Sequence, residues 1–176
     1  MARQFIYHMQ GLTKTYPGGK KVLDNVHLSF YPDAKIGVLG VNGAGKSTLL
    51  RIMAGIDKEF TGEGFVAEGA RVGYLPQEPQ LDPALDVRGN VMLGVADKKA
   101  ILDRYNDLAM NYSDETADEM TKLQDEIEAK GLWDLDSQVD QAMEALGCPP
   151  DDADVTMLSG GERRRVAMCK LLLEQP

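Results

Sequence analysis

Apolar positions in the first 75 residues fall in short runs separated by turn residues, a strand pattern. Residues 5–10 predict an edge strand, and Tyr16-Pro17-Gly18-Gly19 predicts a turn. Residues 20–23 and 26–30 predict two further strands, broken at Tyr31-Pro32-Asp33. Residues 35–40 are a short apolar run of the kind that parallel sheets cover on both faces. A helix over 46–54 follows, carrying Leu49, Leu50, Ile52 and Met53, with Gly55 placed to close it. Gly62-Glu63-Gly64 precedes an apolar segment at 65–67. Residues 71–75 predict one more strand, ending at Pro76-Gln77-Glu78-Pro79.

After Asp86 the period changes from two to that of a helix. Ile101, Leu102, Tyr105, Leu108, Ala109 and Tyr112 form one apolar stripe, and residues 111–114 break it. Met120, Leu123 and Ile127 repeat the spacing on a second segment that Gly131 can end. Two helices joined by a short polar turn predict an antiparallel hairpin. A third pattern (Leu135, Val139, Ala142, Met143, Leu146) stops at Gly147-Cys148-Pro149-Pro150. A last helix begins after Ser159, whose pairing with Glu162 is a capping box, and Val166, Cys169 and Leu173 make its buried stripe. Arg163, Arg164 and Arg165 are consecutive, so about 100° of rotation separates each from the next and they cannot share one face.

Between the predicted strand at 35–40 and the helix at 46–54 lies Gly40-Val41-Asn42-Gly43-Ala44-Gly45-Lys46-Ser47, which matches G-x-x-x-x-G-K-[ST]. Glycines let successive backbone N–H groups turn inward around a polyphosphate, where a Cβ would obstruct them. Lys46 is spaced to reach β- and γ-phosphates, and Ser47 offers a hydroxyl to Mg²⁺. The strand–loop–helix order supplies the context that this pattern requires.

Composition changes the picture in two ways. The 43% hydrophobic and 27% charged residues describe an ordinary globular chain. The first eight residues lack a signal-peptide h-region, and no run approaches a membrane span. Cys148 and Cys169 are too few for a disulfide framework and predict small core residues in a reduced, cytoplasmic setting. His8 and His27 have no partner at ligand spacing. The formal charge of −9 argues against broad attachment to nucleic acid or anionic lipid. Between positions 97 and 136 stand 12 acidic and 5 basic residues, so most of the excess lies on the predicted hairpin.

Four elements now stand in order: Tyr16, the loop at 40–47, Tyr74-Leu75-Pro76-Gln77, and Leu158-Ser159-Gly160-Gly161-Glu162. Together they resemble the nucleotide-binding domain of ATP-binding cassette (ABC) proteins. The strings VLGVNGAGKSTLLRIMAGIDKEF, VGYLPQEPQLD and LSGGERRRVAMCKLLLEQP are most similar to the ABC-F branch. The resemblance implies an α/β P-loop NTPase fold of the ATP-binding cassette kind. It would comprise an antiparallel β subdomain, a parallel core sheet with the P-loop helix, and an α-helical subdomain with an inserted hairpin arm, truncated before the Walker B strand. The expected division is 1–86 for the nucleotide-binding core, 87–158 for the helical subdomain with its arm at about 97–136, and 159–176 for the signature helix.

The resemblance also implies roles. Tyr16 would stack on adenine, and Gly40, Asn42, Gly43, Ala44, Gly45, Lys46, Ser47 and Thr48 would hold the triphosphate of ATP. Lys46 and Gln77 would serve catalysis, with Ser47 and Gln77 on Mg²⁺. Ser159, Gly160 and Gly161 would bind the γ-phosphate held by a second cassette, because these domains pair head to tail. The family continues with a strand bearing an Asp and a Glu, then a switch histidine. The 176 residues alone are therefore expected to bind ATP without turning it over. In ABC-F proteins, cytoplasmic ATPases that regulate translation, the inserted arm reaches the ribosome near its exit site. The charge of the arm here implies a basic ribosomal protein as its main contact, with ribosomal RNA or tRNA the alternative, and marks Asp118, Glu119, Asp125 and Glu126 as the contact charges. Two other readings stay open: the ATP-binding subunit of a membrane transporter, and a nucleotide-binding module without turnover.

Overall fold

The computed structural model describes residues 5–176, so four of the N-terminal residues read above lie outside it. Contacts divide the chain between Tyr74 and Leu75 into two compact units. In the first, β1 (Tyr7–Tyr16), β2 (Lys20–Phe30) and β3 (Thr61–Val66) form an antiparallel sheet in the order β2-β1-β3. Its core is Tyr7, Met9, Leu12 and Leu23 packed with Leu49 and Ile52 of α1 (Lys46–Met53).

β1 is therefore central, not the edge strand expected from residues 5–10. It runs six residues further, and pairing on both sides is what its buried alternation serves. The two strands expected at 20–23 and 26–30 are one. Asn25 takes a positive φ of 49° inside a bulge, where its N–H donates to Thr13 Oγ1 (2.8 Å), so the chain kinks without leaving the ladder. His27 serves the same irregularity: its Nδ1 accepts from the Gly11 N–H (3.3 Å). The turn at Pro17 to Gly19 and the break at Asp33 (φ 62°) fall where the sequence places them.

The parallel layer expected from residues 35–40 and 71–75 is not laid down. Both segments lack a backbone ladder among the described residues, and Leu39 is 95% exposed. The physical reason is pairing: a parallel strand exists only against a hydrogen-bonded neighbour, and no described segment offers one.

The second unit is helical. It comprises α2 (Val87–Met92), α3 (Ala96–Met110), α4 (Ala117–Lys130), α5 (Leu135–Ala145) and α6 (Gly160–Glu174). Val87 and Val91, Leu135, Val139 and Met143, Val155, and Val166 and Cys169 form its core. A short 3₁₀ turn follows α2, and there Gly94 meets α6 so closely that a Cβ would lie 2.4 Å from the Lys170 carbonyl oxygen. Both cysteines take core positions, and burial pushes the Cys169 thiol up to about 12. Arg88 joins α2 to its surroundings through Asp140, Asp151 (2.9 Å) and Asp136 (3.4 Å).

α3 and α4 form the expected hairpin, with Gly131 (φ 60°) ending α4. The stripe on α3 is narrower than its spacing predicts. Leu108 is buried, whereas Ala109 and Tyr112 face solvent. A two-helix arm has only one inner seam, and Leu108, Ile127 and Leu132 fill it. Tyr105 meets Trp133 edge to face at 5.2 Å, and the Arg104 guanidinium makes two bonds to the Glu119 carboxylate (2.8 and 3.0 Å).

Candidate functional site

The loop from Gly40 to Ser47 joins the unpaired segment at 35–40 to α1. Gly43 (φ 83°) and Gly45 (φ 89°) adopt left-handed backbone, and a Cβ on Gly45 would lie 2.7 Å from the Val22 carbonyl oxygen of β2. Gly45 is also the N-cap of α1. It provides no side-chain cap, and the first turn carries no acidic residue. The helix therefore opens with unpaired N–H groups and the positive end of its dipole beside a loop without side-chain bulk. That arrangement fits a phosphate. Lys46 Nζ folds back to donate to the Gly40 and Val41 carbonyl oxygens (2.7 and 2.9 Å), lying across the loop it belongs to. Asn42, Ala44 and Ser47 are exposed, and Thr48 is half-buried.

Tyr16, at the end of β1, is 39% exposed, and its hydroxyl lies 3.2 Å from Thr48 Oγ1 in the first turn of α1. The structure thus brings Tyr16 to the start of the helix that follows the glycine-rich loop, 32 residues on in sequence. Beneath the ring lies a residue that sequence reasoning missed. Lys14 is 4% exposed, with Nζ 5.2 Å from the ring centroid. It donates to Asp57 Oδ1 (2.9 Å) and to the Glu59 carbonyl oxygen (2.6 Å). A signal was available, because Leu12, Lys14 and Tyr16 alternate on one face of β1.

The other candidates lie in the helical unit. Gln77, Glu78, Pro79 and Gln80 face Gly160, Gly161, Arg163 and Arg164 across a cleft of about 460 Å³. Ser159 caps α6 as its spacing predicts: its Oγ accepts from the Glu162 N–H (3.3 Å), while its own N–H and hydroxyl donate to Glu162 Oε2 (2.8 and 2.7 Å). The hydroxyl and then the backbone N–H of Ser159 hold the Glu162 carboxyl below the ordinary glutamate range. The contribution of this box to the start of α6 is therefore complete above that range and is lost as pH falls through the lowered pKa. A carboxyl-carbon NMR titration should find the Glu162 midpoint low and should move it upward in Ser159→Ala; an unmoved midpoint would remove the serine as the cause.

The three arginines diverge as the helix geometry requires, and each donates to the carbonyl oxygen of a different segment. Arg163 reaches Thr156 (2.9 Å), Arg164 reaches Gln77 (2.6 Å) and Arg165 reaches Gly147 (2.8 Å). Arg164 is what ties the Gln77 segment to α6. Another residue missed from the sequence, Asn90, holds the loop that leads into α2, at residues 82–86. It is 2% exposed, accepts from the Asp82 N–H (2.7 Å) and donates to the carbonyl oxygens of Asp82, Leu85 and Asp86. The available clue was a polar residue beside Val87 and Val91 at helical spacing.

A family profile described as ABC transporter matches residues 23–176. The chain is 56% identical to the energy-dependent translational throttle protein EttA of Mycobacterium tuberculosis, over 98% of its own length and 32% of that protein. It is 48% identical to the EttA of Escherichia coli, again over 98% of this chain and 32% of the other. It thus spans about a third of the length of these curated relatives. Among solved structures, cbiO1 from Clostridium perfringens, described as part of the ABC transporter complex cbiONQ, superposes with a TM-score of 0.58. That match has 24% identity and covers 98% of this chain and 62% of that one. It shows the fold alone.

Proposed function

From the premise that this chain belongs to the ATP-binding cassette family, we propose that it is a nucleotide-binding cassette of an ABC-F ATPase that acts on the translating ribosome in the cytoplasm. The supporting observation is 56% identity, across nearly the whole chain, to a protein named as a translational throttle. No helix among the described residues is long and apolar enough to cross a membrane.

In this reading Tyr16 stacks on adenine. The backbone of Gly40, Asn42, Gly43, Ala44 and Gly45 surrounds the triphosphate, with Thr48 adding a hydroxyl. Lys46 leaves the Gly40 and Val41 carbonyl oxygens to pair with the β- and γ-phosphates. Mg²⁺, when bound, neutralises charge on the phosphate oxygens, and Ser47 and Gln77 would hold it. Lys46 and Gln77 are the catalytic assignments. Ser159, Gly160 and Gly161 serve the nucleotide of a second cassette, since the first turn of α6 presents N–H groups that an anion can approach past two glycines.

The hairpin of α3 and α4 is the proposed ribosomal contact. Its negative charge is repelled by RNA phosphates and favours a basic ribosomal protein. Glu119 is withdrawn from the expected contact set, because it is occupied in bracing Arg104 across the hairpin. Glu126 is likewise paired, with Lys130. Asp118, Asp125 and Glu128 remain exposed. Reversing those three to lysine in the full-length protein should weaken co-sedimentation with ribosomes by about tenfold or more at moderate salt. Undiminished co-sedimentation would remove the arm's charge from the interaction, and tighter binding would point to RNA instead.

A further inference from the structure

An ammonium group buried to the extent of Lys14 must find partners for all three of its N–H donors. Two are accounted for by Asp57 Oδ1 at 2.9 Å and the Glu59 carbonyl oxygen at 2.6 Å. The Glu59 carboxylate is more distant, at 3.8 Å, and its side chain is almost fully exposed. The remaining direction is filled by the π-face of Tyr16, 5.2 Å from nitrogen to ring centroid. Asp57 is fixed in turn: it accepts from the Glu59 N–H (3.0 Å), and its own N–H donates to the Arg51 carbonyl oxygen at the end of α1 (3.2 Å). Lys14 thus links β1, the segment after α1 and the aromatic ring. The ring is tethered a second time, through its hydroxyl, to Thr48. A surface tyrosine held on one face and at its tip has lost most of its freedom while remaining 39% exposed.

We propose that Lys14 is the positioning residue for the nucleotide base: anchored by Asp57 and the Glu59 carbonyl, it backs one face of the Tyr16 ring and leaves the opposite face as a fixed stacking platform. Two physical effects follow. The ordering cost of the platform is met during folding and not at binding. A cation on the far face also draws π-density away from the phenol, which favours an electron-rich purine on the near face. The inference rests on the reading that Tyr16 stacks on adenine, and it adds a residue that does not touch the nucleotide.

The test uses the full-length protein and compares the Tyr16-dependent binding of Mg·ATP with that of inorganic tripolyphosphate, which has no base to stack. Lys14→Met should weaken ATP by about threefold to tenfold, the range of a partly desolvated cation–π contact, and leave tripolyphosphate unchanged. Lys14→Arg should keep most of the ATP affinity. Once Tyr16→Leu has removed the ring, Lys14→Met should have no further effect on ATP. Because Lys14→Met orphans Asp57, the pair Lys14→Met/Asp57→Asn is measured alongside and should give the same ATP-selective loss. Equal losses for both ligands, no loss for ATP, or a loss that persists without Tyr16 would each overturn the proposal. A Tyr16→Leu protein that binds ATP as tightly as the wild type would show instead that the stacking reading itself is wrong, and the proposal would go with it.

Discussion

Lys46→Ala in the full-length protein should weaken Mg·ATP at the site this loop serves by about 100-fold or more. That is the loss expected for two charge-assisted hydrogen bonds to phosphate at roughly 1.5 kcal/mol each. The backbone of the loop should survive the change. Its course is set by left-handed Gly43 and Gly45 and by the close approach of Gly45 to Val22, none of which involves the lysine side chain. The variant does lose the two bonds from Nζ to the Gly40 and Val41 carbonyl oxygens, which are exposed and can be hydrated instead. Calorimetric titration should therefore show a large affinity loss against an unchanged melting temperature. A loss of affinity accompanied by an equal loss of fold would assign Lys46 to the architecture. Retained affinity would remove it from the phosphate site.

The second large effect is on stability. Asn90→Leu keeps the branching of the side chain but enlarges it, and it removes four hydrogen bonds, leaving the Asp82 N–H without its acceptor and three carbonyl oxygens without that donor. Each unsatisfied buried group costs about 1–3 kcal/mol, and the Asp86 carbonyl oxygen still accepts from the Asn90 backbone N–H (3.0 Å), so the sum should be about 3 kcal/mol. Urea unfolding should show that decrease. Asn90→Asp should cost more at neutral pH, because it sets an anion against three carbonyl oxygens while keeping the acceptor. Asn90→Asp keeps the side-chain volume, so its loss reads the hydrogen bonds without a change in packing; wild-type stability in that variant would remove the hydrogen bonds as the cause.

These two residues mark how far the sequence was legible. Lys46 was readable because its chemistry depends on local spacing: a loop, a helix start and a lysine one residue after a glycine. Ser159 and Glu162 were readable for the same reason, since a capping box closes within one turn. Asn90 and Lys14 act on partners that local spacing does not reveal. Asn90 satisfies a loop that folds back onto α2, and Lys14 meets Asp57, 43 residues on. Strand identity was legible in part: alternation located β1 and β2, but it could not show that β1 lies between two partners. The apolar run at 35–40 has the composition of a strand, yet a strand is a relation between segments, and the run has no hydrogen-bonded neighbour among the described residues. That the three arginines of α6 diverge follows from rotation about the helix axis, while the carbonyl oxygens they reach depend on how distant segments pack against it.

Those three arginines have a mechanical consequence. Their guanidinium groups leave the α6 axis about 100° apart and grip carbonyl oxygens in three separate segments, like a tripod turned inward. Rotation of the helix about its own axis would shift all three donors at once, so the three grips together hold its rotational setting. The Gln77 backbone, through Arg164, and the Ser159–Gly160–Gly161 turn are thereby fastened to one and the same helix.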